Sequence, residues 1–262
     1  MEKSMQTVTS KDGTRIAYDK QGSGPAIIIV SGATATKAAE APLASLLAPN
    51  FTVYAYDRRG RVESGDTLPF AVEREFEDIA AIIDLAGGSA SLYSISSGAI
   101  LALRAVASGL PVSKLALWEP PFSVDENGRQ YHLEYRKQLD KLIAEGRRGD
   151  ALELFMTRVG TPAEFIAQAR QSPWWPQGEA LAHTLAYDAA AMGDSLVPAE
   201  EAAGVTIPTL ILDGGPSDPF FHAAAQALLA VMPNAQIKSL DGQTHNVDPQ
   251  LMAPVLTEFF KG

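Results

Sequence analysis

The sequence predicts an α/β fold in which a mostly parallel central sheet carries helices on both faces and is interrupted once by a helical insertion. Three observations predict it. Apolar runs of strand length alternate with helical patterns, as a parallel sheet requires when every return to the same edge needs a crossover. That alternation breaks only between Pro120 and Pro208, where several helical patterns follow one another. Finally, the strand pattern Ser91, Leu92, Tyr93 runs through Ser94, Ile95, Ser96, Ser97, Gly98 directly into a helix.

The elements follow in order. Thr7 to Ser10, the turn Lys11, Asp12, Gly13, and Thr14 to Asp19 read as a β-hairpin. Strand runs then fall at Ala26 to Val30, Phe51 to Tyr56, Ala90 to Tyr93, Lys114 to Trp118, Thr209 to Leu212 and Gln236 to Leu240, most of them rich in β-branched or aromatic residues. Between and after them, helical patterns span Ala38 to Leu47, Val72 to Leu85, Ala99 to Ser108, Ala223 to Met232 and Pro249 to Phe260. Within the insertion, Tyr131 to Glu145, Asp150 to Val159, Pro162 to Arg170 and Glu179 to Ala191 read as helices punctuated by glycine and proline. Residues 1–120 and 208–262 therefore form the expected core. Residues 121–207 form a cap expected over the carboxyl ends of the strands, where open α/β sheets bind ligands.

Composition narrows the function. The chain of 262 residues is 46% hydrophobic, enough for a sizeable core. Its formal charge of −10 argues against nucleic acid and anionic membranes, since the only basic clusters are Arg58, Arg59, Arg61 and Arg147, Arg148. Without cysteine there is no disulfide framework, thiolate metal site or cysteine nucleophile. The first fourteen residues are polar with no apolar core of a secretion signal, and no run approaches a membrane span, so a cytoplasmic protein is expected.

The turn around Ser96 has the form of a nucleophile elbow, in which a strained turn lifts a hydroxyl above the sheet. The residues two before and two after the nucleophile must be small. Around Ser96 these are Ser94 and Gly98, whereas Ser97 would be flanked by Ile95 and Ala99, and Ser94 by Leu92 and Ser96. The same segment also fits an ordinary polar turn with a serine capping the helix.

A serine hydroxyl needs a base. Of the four histidines, His245 stands in a loop just after the last predicted strand, while His132 and His183 lie in the insertion and His222 at the start of a helix. The imidazole in turn needs a carboxylate to set its tautomer. Asp218, in the loop after Thr209 to Leu212, is preferred on chain order and loop position, although a residue directly before Pro219 also suits a helix N-cap. Glu119, which ends the strand Lys114 to Trp118, competes. Ser31, Gly32, Ala33, Thr34 follow another strand, so the backbone amides of Ala33 and Ser97 could hold an oxyanion.

Taken together the chain resembles the α/β-hydrolase superfamily over nearly its whole length, with elbow, acid and histidine in the order of that fold. Tyr56, Asp57, Arg58, Arg59, Gly60, Arg61, Val62, Glu63, Ser64 is similar to the family's Asp, any, Arg, Gly, any, Gly, any, Ser loop. The chain departs from the pattern at Ser31, which stands for the usual histidine, and at Ser94 and Val62, which stand for glycines. The resemblance implies an α/β-hydrolase fold and a serine hydrolase that needs no cofactor or metal, acting on an ester or related acyl bond of a small to medium apolar molecule. In that reading Ser96 attacks, His245 carries the proton, Asp218 orients it, and Trp174 and Trp175 line the pocket. A hydrolase-fold enzyme of another reaction (C–C hydrolase, perhydrolase, lyase) or a non-catalytic ligand receptor remains open, because one fold hosts many chemistries.

Overall fold

The computed structural model describes residues 5–262; residues 1–4, the start of the polar N-terminal stretch, lie outside it. The chain opens with β1 (Gln6–Thr9) and β2 (Arg15–Gln21), an antiparallel pair. Then come β3 (Ala26–Val30), α1 (Ala41–Leu47), β4 (Thr52–Tyr56), α2 (Val72–Leu85), β5 (Ala90–Ile95), α3 (Ser97–Ala107) and β6 (Val112–Trp118). Beyond the insertion lie β7 (Thr209–Gly214), α10 (Pro219–Val231), β8 (Ala235–Leu240) and α11 (Pro249–Lys261). The eight strands form one sheet in the order β1-β2-β4-β3-β5-β6-β7-β8, antiparallel up to the β2–β4 pair and parallel from there on.

Strand periodicity builds two cores, since successive side chains point to opposite faces. Ile28 and Val30 of β3, with Leu115 and Leu117 of β6, pack with Ile79 and Ile82 of α2, Ile100 and Leu103 of α3 and Leu228 of α10. Their neighbours Ile27, Ile29, Ala116 and Trp118 face the other way onto Leu43 and Leu47 of α1 and Met252, Leu256 and Phe260 of α11. Strands buried on both faces explain the near-continuous apolar runs.

The insertion carries α4 (Glu126–Ala144), α5 (Arg148–Arg158), α6 (Ala163–Ala169), α7 (Trp175–Leu181), a 3₁₀ turn (Ala182–Thr184), α8 (Leu185–Ala191) and α9 (Ala199–Gly204). The helix expected over Glu179 to Ala191 is thus broken by the 3₁₀ turn, and α9 was not anticipated. Tyr135, Leu139, Leu152, Trp175 and Leu185 give the insertion a core of its own, against which Ala33 also packs. No helix among the described residues is long and apolar enough to cross a membrane.

Candidate active site

Ser96 sits between β5 and α3 with φ 56° and ψ −129°, a left-handed conformation that a non-glycine residue adopts only when its surroundings impose it. The close approach behind the elbow is visible at Gly98, where an added Cβ would lie 2.4 Å from the Val30 carbonyl oxygen and 2.5 Å from that of Ser31. Only glycine fits there. Two residues before Ser96, the Ser94 side chain is buried, its hydroxyl donating to the Ala116 carbonyl at 3.2 Å. The amide of Ser96 donates to the Trp118 carbonyl at 2.9 Å, which sets the elbow beside the end of β6.

Glu119 follows Trp118 directly. Its φ of 45° turns the chain sharply at the strand end, and its side chain is fully buried. One oxygen, Oε1, accepts from the Gly214 amide at 2.9 Å; the other, Oε2, lies 2.7 Å from His245 Nδ1. Burial acts to raise the Glu119 pKa, but the hydrogen bonds from His245 and the Gly214 amide, with the Ser217 hydroxyl nearby, outweigh it and hold the carboxyl below its ordinary value. An ionised carboxylate only accepts, so Nδ1 of His245 carries a proton, and of the two neutral tautomers the contact selects the one whose lone pair is on Nε2.

The His245 loop is held in three ways. Trp118 Nε1 donates to the His245 carbonyl at 3.0 Å. Phe221 of α10 stacks on the imidazole, 4.9 Å between centroids and 14° between planes. The loop also lies directly on the end of β7, where a Cβ on Gly214 would come within 2.1 Å of the Gln243 carbonyl oxygen.

Asp218 does not join this group. It is exposed and caps α10, accepting from the Phe220 amide at 2.8 Å ahead of Pro219 at the first helical turn. The preference for Asp218 over Glu119 is therefore corrected: the carboxylate on His245 comes from the end of β6, and the loop after β7 spends its own carboxylate on a helix terminus. The tryptophans differ as well. Trp175 is buried in the interior of the insertion, under the Arg170 guanidinium, while Trp174 is partly exposed beside it.

The arginine cluster, read from the sequence as a short basic run within the family-like loop, is buried. Arg58 makes a two-armed contact with Glu75, 2.7 Å at each arm, and reaches Asp188 Oδ1 at 2.6 Å. Arg59 pairs the same way with Asp78 and also with Asp12. Arg61 reaches Asp188 Oδ2 at 2.9 Å. Asp188 is on α8, and its Oδ1 also accepts from the Ser97 hydroxyl at 2.8 Å. The spacing of three arginines within four residues was visible in the sequence; the carboxylate that Arg58 and Arg61 share, 127 residues away from Arg61, was not.

Ser97 begins α3, so its amide is one of the first-turn donors that no helical carbonyl can reach. Ala33 lies in the turn after β3, adjoining Gly32, which stands against Ser96. A strained serine, an imidazole tied to a buried carboxylate and two amides at strand ends can together deliver an activated hydroxyl and receive a negative oxygen.

A model of the alpha/beta hydrolase family matches residues 27–256. An alpha/beta hydrolase from Sphaerobacter thermophilus DSM 20745 is 53% identical and superposes with a TM-score of 0.89 over 97% of this chain and 100% of its own. A hydrolase from Pseudomonas aeruginosa PA01 is 20% identical, with a TM-score of 0.77 and 100% of both chains covered. A thermophilic esterase from Thermogutta terrifontis, solved with malate bound, is also 20% identical, with a TM-score of 0.75 over 99% of this chain and 98% of its own. With that model matched over most of the chain and a 53% identical structure superposing along nearly its whole length, the chain belongs to the alpha/beta hydrolase family.

Proposed function

We propose that the protein is a serine hydrolase that cleaves an ester or related acyl bond through an acyl-enzyme. The observation that carries this reading is the 2.7 Å contact between His245 Nδ1 and the buried Glu119 carboxylate, one strand away from the strained Ser96. Ser96 Oγ forms a bond to the acyl carbon as its proton passes to His245 Nε2. The carbonyl pair moves to oxygen, where the Ala33 and Ser97 amides donate. Collapse expels the alcohol, which takes the proton from His245, and water then repeats the sequence to free the acid. Glu119, not Asp218, is the orienting acid in this scheme.

Structures sharing the fold include esterases, a bromoperoxidase and an enol-lactonase, so the reading rests on the site and not on the shape. An acyl group of small to medium apolar character is proposed because Phe221 covers His245 and Ala33 packs against the apolar core of the insertion, which we read as a cap. A fluorophosphonate probe followed by peptide mapping tests the nucleophile without knowledge of the substrate. Labelling at Ser96, its loss in Ser96→Ala and multiple turnovers of p-nitrophenyl butyrate are expected. Labelling that persists in Ser96→Ala overturns the assignment, and binding without turnover points to a receptor.

A further inference from the structure

Arg61 is a poorly compensated buried cation. Its side chain is wholly inside the protein, it shares the Asp188 carboxylate with Arg58, and its Nε has no hydrogen-bond partner among the described residues. Burial and the neighbouring Arg58 charge both push its pKa down, with Asp188 opposing them. Replacing buried ions by apolar side chains of similar size is often neutral or stabilising, so stability alone does not account for Arg61.

Its hydrogen bonds do. Nη1 donates to the Gly32 carbonyl at 2.6 Å and to the Ala35 carbonyl at 3.0 Å. The Gly32 carbonyl and the Ala33 N–H belong to one planar trans peptide unit, so an oxygen held on one side directs the N–H to the other. Gly32 is packed against the elbow: a Cβ built on it would lie 3.0 Å from Ser96 Cβ and 3.7 Å from Ser96 Oγ. A cation on the carbonyl also draws charge through the peptide and makes its N–H a stronger donor. Without Arg61, the Gly32 oxygen would keep the Ala35 amide at 3.3 Å, a weak tether against rotation of the unit. A rotated unit would aim a carbonyl dipole at the developing alkoxide. The other oxyanion residue, Ser97, is tied through its hydroxyl to the same Asp188.

We infer that Arg61, keyed by Asp188 of the insertion, is the positioning residue that holds the Gly32–Ala33 peptide with its N–H toward Ser96. Asp188 thereby makes the assembly of both oxyanion donors conditional on α8 being docked on the elbow. The inference rests on the serine-hydrolase reading.

The test compares native protein, Arg61→Met and Arg61→Lys on p-nitrophenyl butyrate, with folding checked by circular dichroism and thermal melting. Arg61→Met is expected to lose about 10²- to 10³-fold in kcat, the range for loss of one oxyanion donor, with KM changed by less than about threefold. Arg61→Lys, which keeps the charge and one arm, should recover part of the loss. A butylthio trifluoromethyl ketone, which Ser96 converts to an anionic hemiketal, should lose affinity in parallel with kcat/KM. If Arg61→Met does not fold, Asp188→Asn tests the same contact, since it removes the carboxylate charge that keys Arg61, and its amide nitrogen faces either Arg61 Nη2 or both Arg58 Nη1 and the Ser97 hydroxyl. A folded variant with native kcat, or with a change in KM alone, overturns the positioning role while leaving the hydrolase reading intact. Native protein that neither turns over nor labels at Ser96 overturns the hydrolase reading, and this inference falls with it.

Discussion

At the scale of single residues, two carboxylates that look alike in sequence are separated by what each is asked to hold. Glu119→Gln leaves Ser96 and His245 in place but removes the acceptor that sets the imidazole tautomer, and a loss of about 10³ to 10⁴ in kcat is expected, read from single-turnover and steady-state rates. Asp218→Ala should keep near-native kcat and lower stability by about 1 kcal/mol in denaturant melts, the usual cost of a lost N-cap. The elbow was legible because its constraint is steric and local: Ser94 and Gly98 flank Ser96 at positions where backbone passes close by. The carboxylate that His245 contacts was not, because both candidates precede His245 and lie at strand ends or loops on the same sheet edge. What separates them is the left-handed turn at Glu119, which no spacing reveals. Val62 is the converse case. Its replacement of a family glycine was visible in the sequence, and the structure gives it φ 41° at an exposed position. A β-branched residue is strained there, so Val62→Gly is expected to raise stability by about 1 kcal/mol in chemical denaturation.

At the scale of elements, strand positions were predicted within one or two residues because a strand buried on both faces leaves a continuous apolar run. Helix boundaries in the insertion were less legible. The run from Glu179 to Ala191 keeps a helical pattern across the 3₁₀ turn, and packing of Ala182 and Leu185 into one core, not propensity, sets the bend. The seam between α4 and α8 also carries a buried pH-sensitive group. His132 of α4 is wholly buried, its ring nitrogens near the Ala189 and Gly193 backbone without well-formed hydrogen bonds. Burial, with Arg158 nearby, pushes its pKa down to about 4, from 6.5. The unfolded chain therefore binds a proton that the folded one refuses in this window, and stability contributed by the neutral ring falls as pH drops from about 6.5 toward 4. Thermal melts across that range should show a falling Tm in native protein and a flatter profile in His132→Phe.

For the whole molecule, the fold class was legible from alternation and the one interruption, whereas the joint between insertion and core was not. In the sequence Arg58 and Arg61 are part of a short basic cluster within the family-like loop, and only the tertiary structure reveals that they are interior and that Asp188 lies between them. Long-range pairing of this kind has no period and no local signal.

The sheet order has a practical consequence. Ser96 lies at the first turn of one β5–α3–β6 unit and Glu119 directly after it, and Arg61 and Asp188 also precede β7, while His245 arrives with β7 and β8 at the far edge of the sheet. A cut at Thr206, in the exposed link before β7, would thus divide the chain into a half that bears the proposed nucleophile and a half that bears the proposed base, each keeping adjacent strands together. Neither half should hydrolyse p-nitrophenyl butyrate alone, and tethering them to a pair of interacting partners should restore turnover, measurable as a rise in initial rate on mixing. The protein is in this sense a candidate two-piece reporter, whose signal depends on one strand edge finding another.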